Sequence, residues 1–220
     1  MRKLLLHILF LSLCGSLIKA QKLTLEYDLG YGDFCMREYK RLFYNVDKEY
    51  IKKDFPGNLI HQVKIGLEIK EIHHFGFSYE HLSTEGSQEI PNVENEPIEI
   101  KGNKLGAFYR ITPKFLMSEK LKPYFMLTAG AVLNKVNMSI LTDISGYPVT
   151  GKGTGANYFL EPALGLKIKL HPIFALNVSA GYQTDVQRNL KFDGINSPIK
   201  PTWSGLRGGV GLIVYPSFKR

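Results

Sequence analysis

Two hundred and twenty residues, 44% of them hydrophobic, make one ordinary domain, and a mean hydropathy of −0.10 excludes a bundle of membrane-crossing helices. No run of about 18 apolar residues is present to form such a helix. The formal charge of +8 is a mild excess that basic side chains facing lipid phosphates account for, so it does not point to nucleic acid.

At the amino terminus Arg2 and Lys3 precede an apolar run from Leu4 to Leu13, and a small residue, Ala20, follows. This pattern predicts a secretory signal over residues 1–20 and a mature chain, residues 21–220, that begins at Gln21. Leu13 is too large to precede a lipidated cysteine, so Cys14 leaves with the signal and Cys35 stands alone, without a disulfide framework. Arg2, Lys3 and Lys19 leave too, so three of the eight formal charges are lost and the mature chain carries +5.

From there the chain alternates apolar and polar residues with period two, the signature of strands with unlike faces. The first strand, Lys22 to Gly30, sets Leu23, Leu25, Tyr27 and Leu29 against Thr24, Glu26 and Asp28. The second, Ile60 to Lys70, sets Val63, Ile65, Leu67 and Ile69 against Lys64, Gly66 and Glu68. In the third, Phe75, Phe77 and Tyr79 oppose His74, Ser78 and Glu80; in the fourth, Leu105, Ala107, Tyr109 and Ile111 oppose Gly106, Phe108 and Arg110. The fifth runs from Pro123 to Asn134, with Tyr124, Met126 and Thr128 on its polar-leaning face. In the sixth, Leu160, Leu164, Leu166 and Ile168 alternate with Glu161, Ala163 and Lys167, and in the seventh Phe174, Leu176 and Val178 alternate with Asn177 and Ser179. The eighth lies within Trp203 to Phe218, where Leu206, Val210, Leu212 and Val214 oppose Arg207, Gly209, Gly211 and Ile213.

Eight such strands predict a closed, all-β, antiparallel up-and-down barrel. A lipocalin-like barrel would turn the apolar rows inward; the connections argue for the opposite sense. They are short at Glu71 to His73 and His171 to Pro172, and long at 31–59, 83–100, 135–157 and 185–202, which matches a transmembrane barrel with long external loops and both termini on the periplasmic side. Glycines 66, 76, 106, 130, 165, 181, 209 and 211 fall on the rows read as inward, where an eight-stranded interior is narrow. The lumen then holds Glu26, Asp28, Glu68, Glu80 and Glu161 against Lys64, Arg110, Lys167 and Arg207, a nearly balanced set that predicts a closed, ion-paired interior. Tyr109, Tyr124, Phe125, Tyr158, Phe159, Phe174, Tyr182 and Tyr215 are expected in interfacial girdles.

The first long connection contains one helical pattern, Met36 to Tyr50, in which Met36, Tyr39, Phe43 and Val46 share a face. Gly146 to Lys152 falls short of a phosphate-binding loop, because Gly153 stands where Ser or Thr belongs. Through a three-residue turn His61 and His81 come directly opposite each other on the outward face, and through a five-residue turn they lie diagonally; in either case they are a candidate rim contact for a metal or a lipid phosphate. His73 and His74 are assigned to the periplasmic turn. His81, Ser83 and Glu85 are the residue types of a lipid hydrolase, joined only by closeness in sequence.

The signal ending before Gln21-Lys22, the first strand running into Gly30-Tyr31-Gly32, and eight alternating strands ending in Gly209-Val210-Gly211-Leu212 resemble the small outer-membrane β-barrel proteins of Gram-negative bacteria, the porin family or outer membrane protein β-barrel domain group. Members usually end on an aromatic residue read by the barrel-assembly machinery; here Phe218 is followed by Lys219 and Arg220. The resemblance implies an outer-membrane location, contact with outer-membrane lipid and assembly machinery, and no cofactor or metal. Three roles follow for such a barrel: a structural or surface-interaction protein, probed by partners at its external loops and not an enzyme; a narrow solute or ion channel; and a lipid-modifying enzyme. The first is the expectation here, as a monomer.

Overall fold

The computed structural model describes residues 21–36, 51–53, 55, 57–88, 98–141, 148–186, 190–192, 195–196 and 201–216. Eight long strands carry the architecture: β1 Gln21–Gly32, β2 Asn58–Ile69, β3 His73–Gln88, β4 Ile98–Ile111, β5 Leu121–Leu141, β6 Pro148–His171, β7 Phe174–Val186 and β8 Gly205–Val214. Each pairs antiparallel with the next. β8 then pairs with β1 from Leu25↔Val214 to Gly32↔Arg207, which closes the sheet and removes its edges. Among the described residues the one helical element is a 3-10 turn at Lys114–Leu116. The helix expected over Met36 to Tyr50 lies outside the described residues except for Met36 itself, which is buried with φ 35° and is not helical. The signal segment and the aromatic Phe218 also lie outside them.

The faces follow the alternation. Phe77, Leu164, Val210 and Leu206 stand outward and exposed, while Glu26, Lys64, Glu80 and Arg110 are buried inside. With the charged row enclosed and the apolar row bare, the lipocalin-like sense is excluded. Val210→Arg puts a charge on the bare apolar face at a cost of about 2–4 kcal/mol at bilayer depth, and is expected to abolish the membrane-inserted form in a refolding assay with lipid vesicles.

Several strands outrun their sequence-based limits. β3 continues to Gln88 and β4 starts at Ile98, while β5 and β6 reach 21 and 24 residues, although about 9–11 suffice to cross a bilayer. Much of the second and third long connections is therefore sheet. In these upper parts the alternation inverts: Ile98 and Ile100 point in while Lys101 points out, and Val132 and Val136 point in while Lys135 and Asn137 point out. Above the lipid the outer face meets water, so the polar residues change sides; a search for apolar-out strands stops where the bilayer stops.

At the other end the connections are tight. Ile72 N–H donates to the Ile69 carbonyl at 3.1 Å, with Lys70 and Glu71 at φ 50° and 60° in the left-handed region. His73 and His74, expected in this turn, belong to β3, paired with Ile69 and Glu68 and facing opposite sides. Tyr124 and Phe159 are buried in the interior rather than set in a girdle, because each occupies an inward position of its strand. Tyr215 is half-buried with its hydroxyl donating to Glu68 at 3.3 Å, also away from a girdle.

Candidate functional site

The interior is the candidate site, and it is built in tiers. All nine charged residues expected in the lumen are buried: Glu26, Asp28, Lys64, Glu68, Glu80, Arg110, Glu161, Lys167 and Arg207. The structure divides them into three groups because pleat and register decide which rows share a level.

In the middle tier Glu26 faces Lys64 across the β1–β2 ladder. It accepts from Lys64 Nζ at 2.8 Å and from Arg110 Nη2 at 2.9 and 3.0 Å. Lys64 also pairs with Asp28, and Asn177 Nδ2 donates to both acids, at 2.9 Å to Glu26 and 3.1 Å to Asp28. Arg110 lies over the Tyr124 ring at 4.2 Å, and the Tyr124 hydroxyl donates to Asn177 Oδ1 at 2.6 Å. Two acids and two bases thus balance in charge, which is what makes buried charge tolerable, while Arg110 Nε and Nη1 have no hydrogen-bond partner among the described residues.

The upper tier contains a residue that the sequence reading missed. Lys104 is fully buried, pairs with Glu80 at 3.1 Å and with Glu161, and lies over the Phe159 ring at 4.6 Å. It is two positions before Gly106 on the inward row of β4, so carrying the fourth strand's alternation one step further finds it. Arg207 joins the same tier through Glu80 and stacks over Phe34 at 5.5 Å. The lower tier pairs Lys167 with Glu68 and sets His74 Nε2 2.7 Å from the Thr24 hydroxyl.

At the mouth on the short-turn side Lys122, one residue before the expected start of the fifth strand at Pro123, is an inward residue of β5. It bonds Glu71, which also accepts from Lys22 at 2.9 Å and has Lys169 at 3.8 Å. Hydrogen bonds from Lys122 and Lys22 hold the Glu71 carboxyl down at about 2, below its ordinary 4.5. A depressed carboxyl stabilises the fold in its ionised form, so this contribution is whole above about pH 4.5 and fades as pH falls towards 2. Glu71→Gln is expected to lower stability most at neutral pH and to flatten that acid limb of a urea-unfolding series, the variant and the unmutated protein converging as pH falls towards 2.

Above the charges sits an apolar plug that the sequence reading did not anticipate. Phe34, Leu82, Ile100, Val132, Val136 and Trp203 are fully buried together at the outer end of the barrel. The Trp203 ring meets Phe34 edge-on at 5.0 Å, its indole N–H donates to Asn134 Oδ1 at 2.7 Å, and its backbone N–H donates to Asp185 at 2.7 Å. Between plug and middle tier there remains a cavity of about 40 Å³, bordered by Asp28, Gln62, Glu80, Glu161 and Arg207. That holds a water molecule or two and no solute.

His61 and His81 are direct cross-strand partners on the outer face. Their rings nevertheless turn to separate partners: His61 Nδ1 lies 2.6 Å from the Tyr27 hydroxyl, and His81 Nδ1 lies 3.2 Å from Asn103 Oδ1. Among the described residues no group of three or more His, Cys, Asp or Glu is placed to hold a metal. His81, Ser83 and Glu85 share the outward side of β3 at alternate positions, and the His81 nitrogen that bonds does so with Asn103.

No protein-family model matches the chain, and no curated protein sequence does. Solved structures do. Neisserial surface protein A aligns with 88% of this chain and 97% of its own, at 12% identity and a TM-score of 0.51. The attachment invasion locus protein of Yersinia pestis, in complex with the heparin analogue sucrose octasulfate, covers 88% of this chain and 96% of its own at 15% identity, with a TM-score of 0.39. The N-terminal β-barrel domain of Pseudomonas aeruginosa OprF covers 88% and 98% at 14% identity, with a TM-score of 0.38. The closed register, the bare apolar belt and the likeness to the neisserial protein together make this chain a small eight-stranded β-barrel of the outer-membrane type.

Proposed function

We propose that the protein is an integral outer-membrane barrel of a Gram-negative bacterium, exported by a cleaved signal, that conducts nothing and performs no catalysis of its own. It acts as a monomer through the surface it raises above the lipid, where β3 to β6 extend well past the bilayer and a protein partner can dock. Outer-membrane lipid surrounds its belt, and the barrel-assembly machinery inserts it. The observation that carries this reading is the interior: ion-paired tiers under an apolar plug, with about 40 Å³ left between them. A channel needs a continuous polar path, and here the outer end is lined by Phe34, Ile100 and Trp203.

The test is single-channel recording of the purified protein in planar bilayers, with a heat-dependent mobility shift on a cold denaturing gel to establish the folded barrel. A shift without conductance steps is expected. Discrete steps from the shifted form would overturn the closed lumen and make the protein a narrow channel.

A further inference from the structure

The charge of the chain is not spread evenly along the barrel. With Lys104 the three interior tiers hold five acids and five bases, and so they balance. The end that carries the short connections does not. Among the described residues Lys22, Lys70, Lys114, Lys120, Lys122 and Lys169 gather there against only Glu71 and Glu119, an excess of four positive charges in a mature chain of +5. Glu71 is already engaged: it accepts from Lys22 and Lys122, with Lys169 at 3.8 Å. Lys70, Lys114 and Lys120 have no ion-pair partner among the described residues.

Beside Glu71 a cleft of about 500 Å³ lies between the connection from β4 to β5 and the turn from β6 to β7. Lys120, Lys122, Lys169 and His171 line it. Its two walls are tied together, because the Lys169 N–H donates to the Lys120 carbonyl at 2.8 Å. Ser118 braces the connection, its Oγ accepting from the Leu121 N–H at 2.9 Å. His171 stacks on Phe174 at 5.1 Å and accepts the Ile173 N–H at Nδ1, so its Nε2 carries the ring proton and donates. Two lysines and an imidazole N–H are thus set on a braced frame.

The same connection turns apolar side chains outward. Phe115, in the 3-10 turn, is 86% exposed, the most exposed large hydrophobic side chain among the described residues, and Leu116 beside it and Leu170 across the cleft are exposed as well. They continue the bare apolar belt to the very rim, where a lipid interface would cover them. We infer that this rim binds an anionic phospholipid of the periplasmic leaflet, its phosphate in the cleft between Lys120, Lys169 and His171 and its acyl chains against Phe115 and Leu116. Compact ammonium groups suit a phosphate as point charges. Phosphatidylglycerol is preferred to phosphatidylcholine or phosphatidylethanolamine, because the surplus lysines repel the cation that those headgroups carry. This rests on the reading of the chain as an outer-membrane barrel, in which the short turns face the periplasm.

The test uses the whole mature protein, folded in a nonionic detergent and titrated with dioleoyl phosphatidylglycerol or dioleoyl phosphatidylcholine, with bound lipid counted by native mass spectrometry. Saturable binding of phosphatidylglycerol is expected, about tenfold tighter than that of phosphatidylcholine. Lys120→Gln combined with Lys169→Gln should remove that preference, and Phe115→Ser should weaken binding of both lipids about fivefold. Lys135→Gln combined with Lys152→Gln takes the same charge from exposed positions near the other end and should change nothing. Every variant should keep the heat-dependent mobility shift. Equal binding of the two lipids, or an equal loss in the Lys135 and Lys152 variant, would overturn the site while the mobility shift keeps the barrel reading standing. Displacement of phosphatidylglycerol by millimolar glycerol 1-phosphate, with Phe115→Ser silent, would overturn the lipid and make the ligand a soluble phosphate. Loss of the mobility shift in the unmutated protein would take down both readings.

Discussion

Lys104→Met lowers the stability of the inserted barrel by about 3–5 kcal/mol, the expected cost of removing one partner from a buried ion pair. Lys104 is the base that Glu80 and Glu161 share. Without it Glu161 retains, among the described residues, only Arg207 Nε at 3.9 Å, and Glu80 must rely on Arg207 and on Gln62 Nε2 at 3.3 Å. Urea unfolding in lipid vesicles, followed by the emission of the single Trp203, measures the loss. The double variant Lys104→Met with Glu161→Gln should recover more than half of it, because the second change removes the charge that the first one strands. A loss below about 1 kcal/mol, the size of an exposed pair, would mean that water reaches the upper tier and that the lumen is not closed there.

Trp203→Ala is the second large effect. The ring is the biggest fully buried side chain in the plug, and its removal is expected to cost about 3–5 kcal/mol from lost burial and the cavity left behind. Trp203 also ties the ends of the fold together. Asp33 and Cys35 donate through their backbone N–H groups to Leu206 and Ser204, and Met36 to Thr202, so the segment after β1 lies against the segment before β8 with Trp203 between them. Trp203→Phe keeps the packing against Phe34 and loses only the bond to Asn134, for an expected cost of about 1–3 kcal/mol. Limited proteolysis of intact vesicles provides the independent reading: the alanine variant should be cut at its outer end at protease levels that leave the phenylalanine variant whole. Equal resistance of all three proteins would show that the plug does not organise the outer mouth.

These two residues also show how far the sequence could be read. Arg110 and Glu26 were legible as interior because each sits inside a run of strict alternation with aliphatic neighbours on the outward side. Lys104 was not, because it lies near the height where the outward row stops being apolar, with Asn103 and Lys101 beyond it. Trp203 was included in the last strand's segment, but its role as a plug depends on Phe34, Ile100 and Val132, which come from other parts of the chain. Tyr124 and Phe159 were misplaced for a related reason: an aromatic ring near a strand end suits a membrane interface and a barrel interior equally well, and only its position on the pleat decides between them.

The sequence by itself determined the number of strands, which row of each faces lipid, and which end carries the short turns. These are local properties, set by a two-residue period and by the length of each connection, and they need no knowledge of a neighbour. Tertiary structure alone decided which acid meets which base, and that the outer end is sealed by apolar side chains. Each of these depends on the register between strands and on the curvature of the closed sheet, which bring together residues such as Glu26 and Asn177, 151 positions apart.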